Sequence, residues 1–217
     1  YRISGGIPNF LCQDQIIGKT IKALEYYSVN AGVYDENLPM AFELFKANEQ
    51  ETRDRLTDLL SLNKGQRILD LTAGTGRDSL AIAAKLKHGE IWLTDITREM
   101  LDVATSSLLD VELFKEFAVA SACALPFKDD YFDAVFSFTG SGSFPDIRKG
   151  MREMSRVVRT GGKVVFCEKS VPPWLRDTEY GSILIDANPM FLEEIPLKYL
   201  PRESRDVEVR WIMENAF

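Results

Sequence analysis

Apolar residues change spacing in a regular way between residues 67 and 169 of the chain. Five short runs have the continuous apolar character of buried strands, and the stretches between them have helical spacing or turn residues. The runs are RILDL (67–71), EIWLTD (90–95), FAVASA (117–122), FDAVFSF (132–138) and KVVFCEK (163–169). The pattern therefore predicts five strands separated by helices and turns.

Three helices are predicted among these strands. The first follows the turn at residues 72–76 and ends at Gly89, and one face comprises Leu80, Ala83, Ala84 and Lys87. The second has Thr97 as its N-cap, and its buried face comprises Met100, Leu101, Ala104 and Leu108. The third starts near Pro145 and ends at Thr160, Gly161 and Gly162.

The alternation of strand and helix also predicts the fold class. Right-handed crossovers between such units give a parallel sheet with helices on both faces. We therefore predict a doubly wound, mostly parallel α/β sheet of the Rossmann-like type over residues 62–217, with a lid segment at about 171–200. Residues 1–61 are predicted to form a mainly helical extension that covers the active site, and the final VRWIMENAF (209–217) a strand.

Charge and composition argue against several classes of partner. The chain has 217 residues and a net charge of -7, with no window of five residues dominated by Lys and Arg, which argues against a nucleic-acid substrate. No run of 18 apolar residues is present, so no transmembrane segment and a cytoplasmic location are expected. Cys12, Cys123 and Cys167 lack the paired spacing of a zinc site, so no metal is predicted.

The candidate ligand site is the turn in ILDLTAGTGRD (68–78), because ligands of doubly wound sheets lie beyond the carboxyl ends of the strands. A dinucleotide fingerprint would require a third glycine where Ser79 stands. Asp70 and Asp78 would also flank and repel the diphosphate of such a ligand. S-adenosylmethionine, which carries a sulfonium and an ammonium group beside one carboxylate, has the opposite charge preference and fits the two acids better.

Four segments, in matching order and spacing, resemble the class I S-adenosylmethionine-dependent methyltransferases. They are ILDLTAGTG (68–76), LTDITREML (93–101), ALPFKDDYFDAVFSF (124–138) and REMSRVVRTGGKVVFCEKSVPP (152–173). The likeness is to the small-molecule branch that includes the ubiquinone and menaquinone C-methyltransferases. It implies an S-adenosylmethionine-dependent methyltransferase that acts on a small-molecule acceptor.

The resemblance implies cofactor roles for twelve residues. Asp70 would reach the methionine ammonium group, and Asp95 would accept hydrogen bonds from both ribose hydroxyls. Ile96 and Leu125 would enclose the adenine, while Ser121 stands where the family often has an acid that accepts from the adenine amino group. The other candidates are Tyr34, Thr72, Ala73, Gly74, Gly76, Ala122 and Thr139. Thr72 replaces the commonest first glycine, so the turn must differ if threonine cannot adopt the local backbone angles.

Substrate contacts are expected from three segments that would cover the carboxyl edge of the sheet, YYSVNAGVYD (26–35), TGSGSFPD (139–146) and SVPPWLRDTEYG (170–181). The candidates are Tyr27, Ser141, Ser143, Phe144, Trp174 and Tyr180. His88, the only histidine, is predicted at the opposite edge, so no histidine base is expected. Other candidate bases, where the acceptor must lose a proton, are Tyr34, Asp35, Asp146 and Glu168.

The predicted reaction is in-line transfer of a methyl group to a planar or lipid-like acceptor, because an activated methyl demands mainly positioning and exclusion of water. Two alternatives stay open. A catalytically inert partner subunit of the same fold is kept open by Ser121 and Thr72 but opposed by the intact Asp70 and Asp95. A nicotinamide-dependent oxidoreductase is opposed by the missing third glycine.

Overall fold

A seven-stranded sheet forms the centre of the protein, in a computed structural model that describes all 217 residues. The strands are β1 (Arg2–Ser4), β2 (Ile7–Asn9), β3 (Gln66–Asp70), β4 (Gly89–Asp95), β5 (Phe114–Val119), β6 (Phe132–Phe138) and β7 (Val158–Cys167). Their spatial order is β1-β2-β5-β4-β3-β6-β7, and all neighbours are parallel except β1 and β2. The predicted doubly wound, mostly parallel sheet is therefore confirmed.

Seven α-helices accompany the sheet. They are α1 (Lys19–Asn30), α2 (Tyr34–Leu44), α3 (Glu49–Asp58), α4 (Arg77–Leu86), α5 (Arg98–Ser107), α6 (Ile147–Val157) and α7 (Glu179–Ala187). Ile82 of α4 and Leu101 of α5 belong to the apolar cluster on one face, whereas Met151 and Met154 of α6 belong to the cluster on the other. Helices thus cover both faces, and none is long and apolar enough to cross a bilayer.

The order of the strands determines where a ligand can bind. The chain moves outward from β3 through β4 to β5, and then returns to the other side of β3 for β6 and β7. The winding therefore reverses between β3 and β6, and doubly wound sheets bind ligands in the crevice at that point. Asp70 and Asp95, the last residues of β3 and β4, stand at this edge.

Several element boundaries differ from the sequence-based prediction. β5 ends at Val119, so residues 120–122 lie beyond the sheet. The third predicted helix, α6, ends at Val157 because Val158 already pairs with Phe132 in β7. Thr160, Gly161 and Gly162 therefore belong to an irregular part of that strand, where the register with β6 shifts. The final residues 209–217 form no strand, and Ala216 and Phe217 instead pack into the core.

The face that comprises Leu80, Ala83, Ala84 and Lys87 in the sequence pattern is not the buried face of α4. Leu80 is exposed, whereas Ser79, Ile82 and Leu86 are buried. The face includes polar residues because Ser79 donates to Asp70 and Asp78 pairs with an arginine from α3. The spacing of apolar residues cannot predict the buried face of a helix when polar residues with hydrogen-bond or ion partners occupy the buried positions.

The N-terminal extension contains the helices α1, α2 and α3, and its first residues belong to the sheet. β1 and β2 form an antiparallel hairpin at the sheet edge. Asn9 of β2 pairs with Val119, and the amide of Phe10 donates to the Val119 carbonyl at 2.8 Å. The hairpin therefore places the start of α1 near the carboxyl edge of the parallel strands.

Candidate functional site

The glycine turn, residues 71–76 between β3 and α4, contains two glycines that share a positive φ and differ in their surroundings. Gly74 and Gly76 have φ values of 52° and 85°, which lie in the left-handed region that favours glycine. A Cβ on Gly76 would also press against Ala104 of α5 at 3.1 Å and against Leu108, the C-cap residue of that helix, at 3.0 Å. A Cβ on Gly74 would meet nothing within 4 Å, so this glycine borders open space.

Thr72 fits the turn because the loop opposite provides room for its side chain. Thr72 does not have a positive φ, so its backbone conformation is open to threonine. Its hydroxyl lies 2.8 Å from the Ser137 hydroxyl, and its side chain fills the space that a Cβ on Gly140 would occupy. The replacement of the first glycine therefore does not require an altered turn.

The Asp95 carboxylate connects the end of β4 to the glycine turn. Its Oδ2 accepts from the Gly74 amide at 3.0 Å, and its Oδ1 accepts from the amide and the hydroxyl of Thr97, both at 2.9 Å. Thr97 is the N-cap residue of α5, as predicted, but its side chain makes no cap hydrogen bond. Burial raises the pKa of Asp95, while these hydrogen bonds oppose the shift. Asp95 is thereby fixed in one orientation at the sheet edge.

Asp70 is fully buried behind the turn. Its Oδ2 accepts from the Ser79 hydroxyl at 2.6 Å, and its Oδ1 has no hydrogen-bond partner. Burial, together with the nearby Asp78 carboxylate, raises the pKa of Asp70 to about 8. An unpartnered buried carboxyl oxygen is costly, and Asp70 Oδ1 is one of two buried side-chain atoms in the protein that have no hydrogen-bond partner.

Asp78 does not face the ligand side, contrary to the expectation that it flanks the ligand together with Asp70. It belongs to an ion cluster formed by Asp35, Glu49, Arg53, Arg77 and Asp78. The Arg53 guanidinium lies 2.5 Å from Asp78 and 2.8 Å from Glu49, and Arg77 donates to Glu49 at 2.9 Å. Burial raises the pKa of Asp78, and Arg53 opposes this shift. Sequence reasoning missed Arg53 because no local pattern connects residues 25 positions apart.

A cavity at the carboxyl edge of the sheet brings together most of the predicted site residues. Those that line it are Tyr27, Tyr34, Thr72, Gly74, Asp95, Ile96, Ser121, Ala122, Thr139, Ser143 and Phe144. The lining also includes Ala23, Leu71, Met100, Ala120, Phe138, Gly140 and Pro145, which were not predicted. Of these, Met100 could have been found, because it follows Ile96 by four residues across the start of a predicted helix.

The remaining predicted residues lie outside the cavity lining. They are Asp70, Ala73, Gly76, Leu125, Ser141, Trp174 and Tyr180. Leu125 packs in the core with α6, where its amide donates to Glu153 at 2.6 Å. Trp174 packs edge to face on Trp211, and the Tyr180 hydroxyl donates to the Glu214 carbonyl at 2.9 Å. No residue of the predicted lid at 171–200 lines the cavity.

Two tyrosines from the helical extension form one wall of the cavity. The rings of Tyr27 and Tyr34 pack edge to face with centroids 6.0 Å apart. Burial raises the pKa of both phenols, so they stay neutral hydrogen-bond donors. The prediction that Tyr34 could act as a base is thus opposed by its environment.

Part of the cavity lining combines apolar side chains with a backbone amide that has no protein partner. Ile96 and Met100 supply apolar walls, and Ser121 is almost fully buried with its hydroxyl 3.2 Å from the Cys123 amide. The Ala122 amide donates to no other protein group. A free N–H beside apolar side chains can recognise a ring nitrogen.

The loop at residues 139–145 bounds the cavity on the β6 side. Thr139 has a φ of 60°, an unusual conformation for a β-branched residue. The Ser141 amide donates to Glu168 Oε1 at 2.6 Å, and Met190 packs over Gly142. Burial raises the pKa of Glu168 to about 7. The loop is therefore held by the residue that follows β7 and by a residue of the 171–200 segment.

A doubly wound, mostly parallel sheet with a glycine turn at its switch point is a Rossmann-like fold, which class I methyltransferases share with dinucleotide-binding proteins. The family model that describes the ubiE/COQ5 methyltransferase family matches residues 22–180. The chain belongs to this family.

Individual relatives agree with this membership. A demethylmenaquinone methyltransferase of Clavibacter sepedonicus is 41% identical over 126 residues, which are 58% of this chain and 50% of the relative. A ubiquinone/menaquinone biosynthesis C-methyltransferase UbiE of Chromobacterium violaceum is 40% identical over 107 residues, or 49% of this chain and 44% of the relative. The chain thus spans about half the length of the curated relatives it matches. Among solved structures, the YcgJ protein of Bacillus subtilis superposes with a TM-score of 0.53 and 26% identity, covering 63% of this chain and 56% of that one.

Proposed function

We propose that the cavity binds S-adenosylmethionine and that the protein transfers its methyl group to a small planar or lipid-like acceptor. The observation that carries the proposal is Asp95, which lines the cavity at the end of β4 while bonded to the Gly74 amide. An acid in this position can accept from the two hydroxyls of a ribose. The names of the relatives favour a quinone-type acceptor for the whole protein.

The residues present fit the chemical groups of this donor. The Ala122 amide can donate to the adenine ring, between the apolar side chains of Ile96 and Met100. The open space beside Gly74 leaves room for the amino-acid part, and Asp70 offers an unpartnered oxygen to its ammonium group. The Asp95 carboxylate at the cavity wall suits a ligand with an additional positive charge on sulfur.

When bound, the donor supplies a methyl group already activated on a sulfonium. The protein has to orient the acceptor in line with the methyl and keep water out. Phe138 and Phe144 supply apolar surface, and Tyr27 and Tyr34 add neutral hydroxyls. Tyr27 and Phe144 were predicted as acceptor contacts from sequence, and their position in the cavity supports that role.

Calorimetry with S-adenosylhomocysteine, the demethylated product, tests the binding step. We expect micromolar binding, and a loss of about a hundredfold for Asp95→Ala, which removes charge-assisted hydrogen bonds. Asp102→Ala removes an exposed acid from α5, which follows β4, and should bind like the wild type. A chain that ignores S-adenosylhomocysteine, or that binds NAD instead, contradicts the proposal.

A methyl-transfer assay tests the reaction. Labelled S-adenosylmethionine should transfer its methyl group to a demethylated hydroquinone with an alkyl tail. Binding without transfer to any hydroquinone, phenol or amine acceptor would favour the alternative of an inert partner subunit. Asp102→Ala, the control variant of the binding experiment, should transfer the methyl group like the wild type.

A further inference from the structure

Asp35, the second residue of α2, contacts the middle of the glycine turn. The Thr75 hydroxyl donates to Asp35 Oδ1 at 2.7 Å, and the Arg77 guanidinium lies 3.6 Å from Asp35 Oδ2. Thr75 is buried between the two glycines of the turn. Since the preceding residue, Tyr34, lines the cavity, the start of α2 contacts both the cavity and the turn that shapes it.

The ion cluster extends this contact to α3. Glu49 accepts from Arg77 at 2.9 Å and from Arg53 at 2.8 Å, and Arg53 in turn holds Asp78 at the start of α4. Arg53 and Asp78 are almost fully buried, whereas Asp35 and Arg77 retain 34% and 36% of their side-chain exposure. Both ends of the turn region are thus attached to the helical extension through charged groups.

These contacts matter because the turn itself is conformationally permissive. Two glycines with positive φ on either side of Thr75 could populate other backbone conformations. A charge-assisted bond to the Thr75 hydroxyl restricts that freedom from outside the turn. The bond exists only while α2 is packed against the turn. Docking of α2 and the observed conformation of the turn therefore occur together.

We propose that Asp35 is a positioning residue for the methyl donor: by holding Thr75 and Arg77, it keeps the turn in its binding shape and couples docking of α2 to donor binding. This inference rests on the proposed function. Linkage requires the coupling to act in both directions, so that donor binding also stabilises docked α2. Asp35, considered above as a base, is instead bound to the turn.

Calorimetry with S-adenosylhomocysteine tests the first direction. Asp35→Ala should weaken binding about tenfold, because the turn loses an external hydrogen bond to a charged group. Asp35→Asn keeps a hydrogen-bond acceptor for Thr75 and should lose less affinity than Asp35→Ala. The matched control is Lys85→Met, which breaks the 2.6 Å pair with Asp58 that joins α3 to the far end of α4. Lys85→Met should lower thermal stability but leave the dissociation constant unchanged.

Hydrogen exchange and a double mutant test the second direction. Amides of α2 should exchange more slowly with S-adenosylhomocysteine present in the wild type and in Lys85→Met, but not in Asp35→Ala. Thr75→Val should weaken S-adenosylhomocysteine binding as much as Asp35→Ala does. The double variant should lose no more affinity than either single variant.

The outcomes separate this inference from the proposed function. Wild-type affinity in Asp35→Ala, additive losses in the double variant, or equal losses in Asp35→Ala and Lys85→Met would overturn the role of Asp35 and leave the methyl-donor site standing. Failure of the folded wild type to bind S-adenosylhomocysteine would contradict both the role of Asp35 and the proposed function.

Discussion

The backbone amide of Gly74 donates a hydrogen bond to the Asp95 carboxylate, with 3.0 Å between Gly74 N and Asp95 Oδ2. This bond joins the turn after β3 to the end of β4, and both residues line the cavity. The strand-end acid therefore has two functions in the site, since it orients the turn and presents a carboxylate to the ligand.

Gly74→Ala should weaken S-adenosylhomocysteine binding at least tenfold, because its Cβ would enter the open space beside the turn. The positive φ adds about 1 kcal/mol of strain to the folded state. Gly65→Ala is the matched control, since Gly65 has a φ of 81°, equally open surroundings and no part in the cavity. Urea denaturation should show similar losses for both variants, and calorimetry a binding loss for Gly74→Ala alone.

Gly140→Ala should destabilise the protein by about 1–3 kcal/mol, because the new methyl would overlap the Thr72 side chain. Adding Thr72→Gly removes the overlap and should restore much of the lost free energy of unfolding, despite the flexibility of a second glycine. Denaturation of the two single variants and the double variant measures the coupling. Additive effects would show that the two side chains do not compete for the same space.

Thr139→Gly should raise the free energy of unfolding by about 1 kcal/mol, because glycine adopts a φ of 60° without the strain of a β-branched residue. S-adenosylhomocysteine affinity should fall at the same time, since a flexible residue then stands in the cavity wall. Thr160→Gly, at an exposed position in β7 without a positive φ, should instead destabilise the protein. A stability loss at both positions would contradict the strain at Thr139.

Asp70→Asn should flatten the pH dependence of stability between about pH 4 and 8. The pKa of Asp70 is raised to about 8 by burial and by Asp78, so the folded chain keeps a proton that the unfolded chain has released above about pH 4. The free energy of unfolding therefore falls as pH rises through this window, by at most about 1.4 kcal/mol per pH unit for this group.

Urea denaturation at about pH 5, 6, 7 and 8 measures this slope. The Asp70→Asn variant keeps the contact with Ser79, because an amide oxygen can still accept from that hydroxyl. Asp110→Asn, at an exposed position, should keep the wild-type slope. An unchanged slope in Asp70→Asn would show that Asp70 is ionised in the folded protein throughout the range.

Sequence reasoning succeeded where the signal is local. The strand ending at Asp95, the helix starting after Thr97 and the glycine turn are each encoded within about ten residues by apolar spacing and turn chemistry. Since parallel strands share one carboxyl edge, the topology then brings Asp95, Gly74 and Ala122 into one cavity.

Long-range polar contacts were beyond the reach of the same reasoning. The pair between Arg53 and Asp78 places a polar residue on the buried face of α4. That face therefore could not be predicted from the spacing of apolar residues. The segment at 171–200 was predicted as a lid because it follows the fifth predicted strand at the carboxyl edge of the sheet, but its Trp174 packs on Trp211. Which of several apolar partners an aromatic side chain selects depends on tertiary packing, and spacing along the chain does not encode it.

The back of Gly76 rests on Ala104 of α5 and on Leu108, the C-cap residue of that helix, so the glycine turn is supported on the side away from the ligand as well. While α2 is docked, a cradle fixed in this way is preorganised for its ligand, and little conformational entropy is then lost when one binds. Affinity at this site should consequently depend more on how well a ligand matches the existing shape than on any adjustment by the protein.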